Sequence, residues 1–222
     1  MTINNKIKSI INELKKCDTI VGISLVGSYV RAKNPNDIDF LIISINNAKT
    51  KKYIQKEFKK YNPYINDDSV RINNYINLEI GMGIYNLKKL NNQIKQYILG
   101  KNVDPIYKNW NIVGWLPECL LYDLNTMEVL YDEYHYLEQI KNKINNYPIK
   151  FKHSIIENCD IKINNLEKRK TKVKELELQI LESEILSLKI RKSFAENEIY
   201  FSGFKNIDEK LIESGIYNYE KQ

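Results

Sequence analysis

The sequence predicts an α+β fold, with strands and helices in residues 1–132 and a helical bundle domain in residues 133–222. Two observations support this prediction. Short apolar runs bounded by turn residues recur as far as Asp132, which is typical of strands placed between helices. From Glu133 onward glycine nearly vanishes and helix-forming residues dominate. At 222 residues the chain is long enough to bury a core in one domain or in two small ones.

Local periodicity predicts the elements of the first domain. Apolar residues from Ile7 to Leu14 recur at helical spacing, and Ile20 begins an apolar run that is typical of a buried strand. In order, we expect a helix ending near Lys16, strands over Ile20–Val26 and Asp37–Ile43, a lysine-rich helix over Asn47–Tyr61, one or two strands over Arg71–Tyr85, a helix near Leu87–Leu99, a strand over Trp110–Trp115, and a hairpin of Leu120–Leu124 and Glu128–Asp132.

The second domain is predicted from helix signals alone. Tyr147-Pro148 starts or interrupts a helix, because proline is tolerated in a first turn and not in a helix interior. Apolar residues at three- and four-residue steps then predict one long amphipathic helix from Leu166 to Phe194. We interpret it as a helix of the bundle.

Composition excludes several classes of protein. The net charge of +6 is modest, and the lysines between residues 49 and 60 favour a solvated helix face over a nucleic-acid surface. Cys17, Cys119 and Cys159 are too few and too far apart for a disulfide framework or a zinc cluster. No apolar run approaches the ~20 residues that span a bilayer, and the start of the chain lacks a secretion signal. We expect a cytoplasmic protein with no membrane partner.

Two aspartates one residue apart are the strongest functional signal. Side chains two positions apart on a strand point the same way, so Asp37 and Asp39 would face one side while Ile38 and Phe40 face the core. Two convergent carboxylates need a cation, and oxygen ligands suit a divalent metal ion. An isolated Asp-x-Asp pair is more often a surface feature, so the interpretation depends on the neighbouring residues.

The turn before the aspartates is suited to an anion. The strand over Ile20–Val26 ends in Gly27-Ser28, where glycine lets backbone amides approach a ligand closely and serine adds a hydroxyl donor. A further acid, Glu79, follows the alternating segment 75–78, and the alternation points its side chain away from the apolar face. The sequence therefore predicts a metal site beside a phosphate-binding turn.

The order of these residues resembles a known family. Glycine, serine, eight residues, aspartate, one residue, aspartate and an apolar run resemble the nucleotidyltransferase superfamily that includes DNA polymerase β. The similarity is strongest to its minimal nucleotidyltransferase and aminoglycoside adenylyltransferase branch. It implies a mixed sheet flanked by helices. The chain departs from the common pattern at Asn36, where a serine often stands, and at Glu79, where polymerases carry aspartate.

The resemblance implies a role for each residue of the motif. Gly27 and Ser28 would bind the triphosphate of a nucleotide, and Arg31 would be a phosphate-facing cation, with a solvated surface arginine as the alternative. Asp37, Asp39 and Glu79 would be the catalytic residues and the ligands of two Mg²⁺ ions. Glu79 would also accept the proton of the acceptor hydroxyl.

We therefore expect a Mg²⁺-dependent nucleotidyltransferase that moves a nucleoside monophosphate, AMP from ATP in the leading hypothesis, onto a hydroxylated small molecule such as an aminoglycoside-type antibiotic. Two alternatives stay open. The acceptor is a protein or a tRNA, as in toxin–antitoxin nucleotidyltransferases, or the chain is a non-catalytic nucleotide-binding protein of the same fold. The intact acids count against the last alternative.

Overall fold

The computed structural model describes residues 3–31, 37–73, 75, 79–104, 107–108, 111–112 and 116–216. The strands are β1 (Ile20–Val26), β2 (Asp37–Ser44), β3 (Tyr64–Ile65), β4 (Ser69–Ile72), β5 (Glu79–Asn86), β6 (Tyr107–Lys108), β7 (Asn111–Ile112) and β8 (Glu128–Tyr131). The helices are α1 (Ile3–Leu14), α2 (Ser28–Arg31), α3 (Asn47–Glu57), α4 (Leu87–Ile98), α5 (Pro117–Thr126), α6 (Tyr136–Ile144), α7 (Ile149–Lys170), α8 (Glu175–Glu196) and α9 (Ile207–Glu213).

A mixed six-stranded sheet flanked by helices organises the fold, which confirms the predicted α+β class. Its strand order is β3-β4-β5-β2-β1-β8. The central pair β2 and β5 is parallel, whereas every other neighbouring pair in this sheet is antiparallel. A parallel pair needs a crossover connection, and α3 lies in the connection between β2 and β5. Strands β6 and β7 form a separate two-stranded sheet.

One face of the six-stranded sheet is covered by the main hydrophobic core. Alternate residues of β2 and β5, among them Phe40 and Ile80, are almost completely buried and pack with Ile54 of α3 and Ile10 of α1. Their neighbours in sequence point to the opposite face, because strand side chains alternate. That alternation fixes which face can carry polar chemistry.

Most of the predicted elements of the first domain are confirmed. The predicted strand over Ile20–Val26 is β1, and the aspartate strand is β2. The lysine-rich helix is α3, which begins after an Asn46 side chain that accepts a hydrogen bond from the Lys49 amide, and it ends at Glu57. A short 3₁₀ turn, Lys59–Tyr61, follows it.

The predicted hairpin at residues 120–132 is wrong. Its first arm, Leu120–Leu124, belongs to helix α5, which begins with Pro117 and buries Leu120, Leu121 and Leu124. These leucines recur at helical steps, and proline is favoured in a first helical turn. The second arm is the strand β8, but it pairs with β1. The strand predicted over residues 110–115 lies mostly outside the described residues, and its Asn111–Ile112 forms β7.

The predicted single helix from Leu166 to Phe194 is also wrong, because the chain turns between Lys170 and Glu175 and forms α7 and α8. The two helices run antiparallel: Lys170 pairs with Glu182, whereas Asp160, earlier in α7, pairs with Lys192. Pairing two helices buries apolar residues of each against the other, which one continuous helix would leave exposed. A helix pattern by itself does not show where a helical hairpin turns.

The described residues divide into two compact units. The first comprises Met1–Gln93 with Asp123–Asn145, and the second comprises Ile94–Tyr122 with Asn146–Gln222. The chain thus passes between units three times, and the domain boundary expected near Asp132 stays a prediction. The return to the first unit follows from β8, which joins the sheet beside β1. No helix in the described part of the chain is both long and apolar enough to cross a membrane.

Candidate functional site

Asp37 and Asp39 lie at the start of β2, on the sheet face opposite the main core. Both side chains are partly buried, while Ile38 and Phe40 between and after them are about 1 % exposed. This alternation places the two carboxylates on one side of the strand, in the arrangement that the sequence predicts.

Ser28 makes a direct contact with the first aspartate. Its hydroxyl donates a hydrogen bond of 2.6 Å to Asp37 Oδ1. Hydrogen bonds from a hydroxyl to a charged carboxylate are short and strong. A serine hydroxyl carries a single hydrogen, so while it donates to Asp37 it cannot also donate to a phosphate oxygen.

Asp39 occupies a space that two glycines leave open. A Cβ atom on Gly27 would lie 2.7 Å from Asp39 Oδ2, and a Cβ atom on Gly81 would overlap Asp39 Oδ1 even more closely. Gly27 also has a φ of +73°, which side chains rarely adopt. The Asp39 carboxylate therefore fits only because neither neighbouring position carries a side chain.

The strand register brings the third predicted acid to the aspartates. In the parallel pair of β2 and β5, Asp37 lies opposite Glu79 and Asp39 lies opposite Gly81. Residues that pair across a sheet point to the same face, so Glu79 shares the face of the two aspartates. Asn77 and the apolar residues 76 and 78 lie outside the described residues, and so does the side chain of Arg31.

Glu79 is paired with an arginine that the motif does not include. Arg71 Nε lies 3.3 Å from Glu79 Oε1, and the two side chains are 64 % and 49 % exposed. Arg71 is opposite Gly81 in the antiparallel pair of β4 and β5. It therefore points to the same face as the acids.

These acids provide the oxygen ligands that Mg²⁺ prefers, and they stand on adjacent positions of neighbouring strands. Among the described residues, however, no group of three or more His, Cys, Asp or Glu side chains is gathered tightly enough to hold a metal ion. The ion pair with Arg71 engages Glu79. The donor chemistry therefore fits Mg²⁺, while one oxygen of Glu79 is paired with Arg71.

Sequence reasoning missed Gly81 and Arg71 as parts of this site. One signal for Gly81 was present: Gly81 and Gly83 occupy alternate positions of β5, and glycine inside a strand often marks the close approach of another group. Arg71 had no such signal, because its position beside Glu79 depends on the pairing of β4 with β5.

Comparisons with known proteins give structural neighbours only. No protein-family model and no curated protein sequence matches the chain. A nucleotidyltransferase-like protein from Exiguobacterium sibiricum aligns with a TM-score of 0.48 at 12 % identity, over 99 % of this chain and 69 % of its own. The spectinomycin adenyltransferase AAD(9) from Enterococcus faecialis, solved with ATP and spectinomycin, aligns with a TM-score of 0.40 at 18 % identity, over 100 % and 92 %.

Both TM-scores are below 0.5, so the functional proposals rest on the residues of the site themselves.

Proposed function

We propose that the chain is a Mg²⁺-dependent nucleotidyltransferase that moves a nucleoside monophosphate, AMP from ATP in the leading case, onto a hydroxyl group of a small molecule. One observation carries this proposal. Asp37, Asp39 and Glu79 share one face of the sheet, directly beside the Gly27-Ser28 turn. Acids next to a turn with close backbone access suit a nucleotide triphosphate held through metal ions.

The reaction would require stabilisation of negative charge. The acceptor oxygen attacks the α-phosphorus while the bond from that phosphorus to the pyrophosphate oxygen breaks, so negative charge builds on the entering and leaving oxygens. Bound Mg²⁺ would stabilise that charge. The chain would contribute the acids that hold the ions, with Glu79 taking the proton of the acceptor hydroxyl.

The close fit of Asp39 between two glycines supports a catalytic role over a solvated surface role. Its carboxylate is enclosed by Gly27 and Gly81, and the hydroxyl of Ser28 holds the neighbouring Asp37. Transfer of phosphoryl-type groups depends mainly on positioning and on electrostatic stabilisation. A carboxylate that needs two glycines beside it is positioned to a degree that a solvated surface acid does not need.

Transfer of the labelled α-phosphate is the direct test. The protein is incubated with Mg²⁺ and each nucleoside triphosphate, labelled at the α- or the γ-phosphorus, together with pools of aminoglycosides, other metabolites, tRNA or lysate protein. We expect the α-label to become attached to an acceptor and the γ-label to leave in pyrophosphate. Transfer of the γ-label would instead indicate a kinase, and nucleotide binding without any transfer would favour the non-catalytic alternative.

Asp39→Asn is the variant that connects this activity to the site. We expect transfer to be lost while the melting temperature stays equal to or above that of the wild type, because neutralising one of several neighbouring acids relieves repulsion. Asp67→Asn is the matched control, since Asp67 is an exposed aspartate in a turn of the same unit. A fully active Asp39→Asn protein would show that the motif has no catalytic role.

A further inference from the structure

Arg71 is an unusual residue for its position. Among the six strands of the main sheet, as the structure describes them, it is the only lysine or arginine. Its neighbours Val70 and Ile72 are completely buried in the core, so the Arg71 side chain points to the opposite face. That face carries Asp37, Asp39 and Glu79.

The choice of arginine is itself informative. The chain has 34 lysines and arginines, and only four of them are arginine: Arg31, Arg71, Arg169 and Arg191. Arginine differs from lysine in presenting a planar set of donors that matches carboxylate and phosphate groups with two bonds at once. The chain uses lysine at most of its basic positions. An arginine beside Asp37, Asp39 and Glu79 therefore indicates that its planar arrangement of donors is used.

Most of the hydrogen-bonding capacity of Arg71 is unused within the part of the chain that the structure describes. Its ion pair runs through Nε to Glu79, and no other ion pair of Arg71 occurs among the described residues. A guanidinium group has five N–H donors, so several stay available to a ligand. The pair is about half exposed on both sides, and exposed pairs of this kind contribute little to stability. An incoming anion can therefore replace Glu79 at little cost.

We propose, on the basis of the function proposed above, that Arg71 is a phosphate-binding residue of this site and exchanges its ion pair with Glu79 for a phosphate group of the ligand. A phosphate group carries more charge than a carboxylate and accepts two parallel bonds from a guanidinium. The exchange would leave Glu79 without its cation at the moment when a metal-bound nucleotide is present. Arg71 would thus both recognise the ligand and release the third acid.

Binding of inorganic triphosphate and of a non-hydrolysable nucleotide, each in Mg²⁺, tests the proposal by calorimetry. Hydrogen bonds to charged groups contribute enough that Arg71→Gln should weaken binding by about 10- to 100-fold. Arg71→Lys should recover only part of the loss, because it keeps the charge and loses the planar donors. Arg169→Gln is the matched control: Arg169 is also exposed and lies 3.7 Å from a glutamate, on a helix of the other unit. Its affinity should equal that of the wild type.

The phosphate could belong to the nucleotide or to the acceptor, and a second measurement separates the two sources. With the non-hydrolysable nucleotide bound, glycerol phosphate and glycerol are titrated as acceptor mimics and followed by NMR. A loss in Arg71→Gln that is confined to the nucleotide assigns the contact to the triphosphate, and a loss confined to glycerol phosphate assigns it to a phosphorylated acceptor.

Two results keep this proposal separate from the proposed function. Unchanged affinity of Arg71→Gln for triphosphate, nucleotide and glycerol phosphate would overturn the role of Arg71, even if the wild-type protein transfers nucleotides. If the wild type transfers no nucleotide, while Arg71→Gln still weakens triphosphate binding and Arg169→Gln does not, the phosphate site stands and the proposed reaction fails. Circular dichroism melting of each variant shows that the fold is retained.

Discussion

Replacing Gly81 with alanine should displace the Asp39 carboxylate without unfolding the sheet. A Cβ atom at residue 81 would overlap Asp39 Oδ1, which is the free end of a side chain and can move aside. The backbone of Gly81 does not have a positive φ, so alanine can adopt it. The expected result is a folded protein with a disordered or redirected Asp39.

The two expected magnitudes differ widely. The Asp39 oxygen must retreat by roughly 1 Å to restore ordinary separation, and a misplacement of that size can reduce the rate about 100-fold. Stability should change by no more than ~1 kcal/mol, because alanine also restricts the unfolded chain and offsets part of the local crowding. Activity and stability should therefore separate clearly in this one variant.

The assay compares single-turnover nucleotidyl transfer with urea unfolding for Gly81→Ala and for Gly83→Ala. Gly83 is the matched control, since it lies two residues further along β5 on the same face and its added Cβ would lie 3.1 Å from the Tyr85 ring and away from Asp39. We expect the control to keep most of its activity. Equal activity of Gly81→Ala and wild type would refute the claim that the two glycines position Asp39, and equal losses in both variants would point to a general disturbance of β5.

Two further predictions concern the neighbouring hydroxyl and the second unit. Ser28→Ala should weaken nucleotide binding by about 10-fold in Mg²⁺, because the hydroxyl orients Asp37 as a metal ligand. Calorimetry in Mg²⁺ and in chelator measures this loss. An equal loss of affinity without metal would assign the hydroxyl to the phosphates instead. Arg191→Met should lower the free energy of unfolding by about 3–5 kcal/mol, since it leaves the Glu118 carboxylate buried without its charge partner. In urea unfolding, the double variant Arg191→Met/Glu118→Leu should recover most of that loss. An unchanged free energy of unfolding in the single variant would contradict the importance of the pair.

Patterns within one element predicted the first domain well and the connections between elements poorly. The apolar run at Ile20–Val26 forms β1 because it is rich in β-branched residues, which pack well on the surface of a sheet. Leu120–Leu124 was misassigned because a short apolar run suits a strand or a buried helix equally, and the deciding feature was Pro117 just before it. The turn after Lys170 was missed because the helical pattern continues across it.

Local sequence was enough to predict that Asp37 and Asp39 share one face of a strand. The two residues are only two positions apart, and the geometry of a strand places side chains at that spacing on the same face. The pairing of strands was needed to show that Gly81 makes room for Asp39 and that Arg71 pairs with Glu79. Both contacts depend on which strands lie side by side and in which register. Periodicity within a strand shows which face a residue points to, but it does not predict which strand lies beside it or in which register.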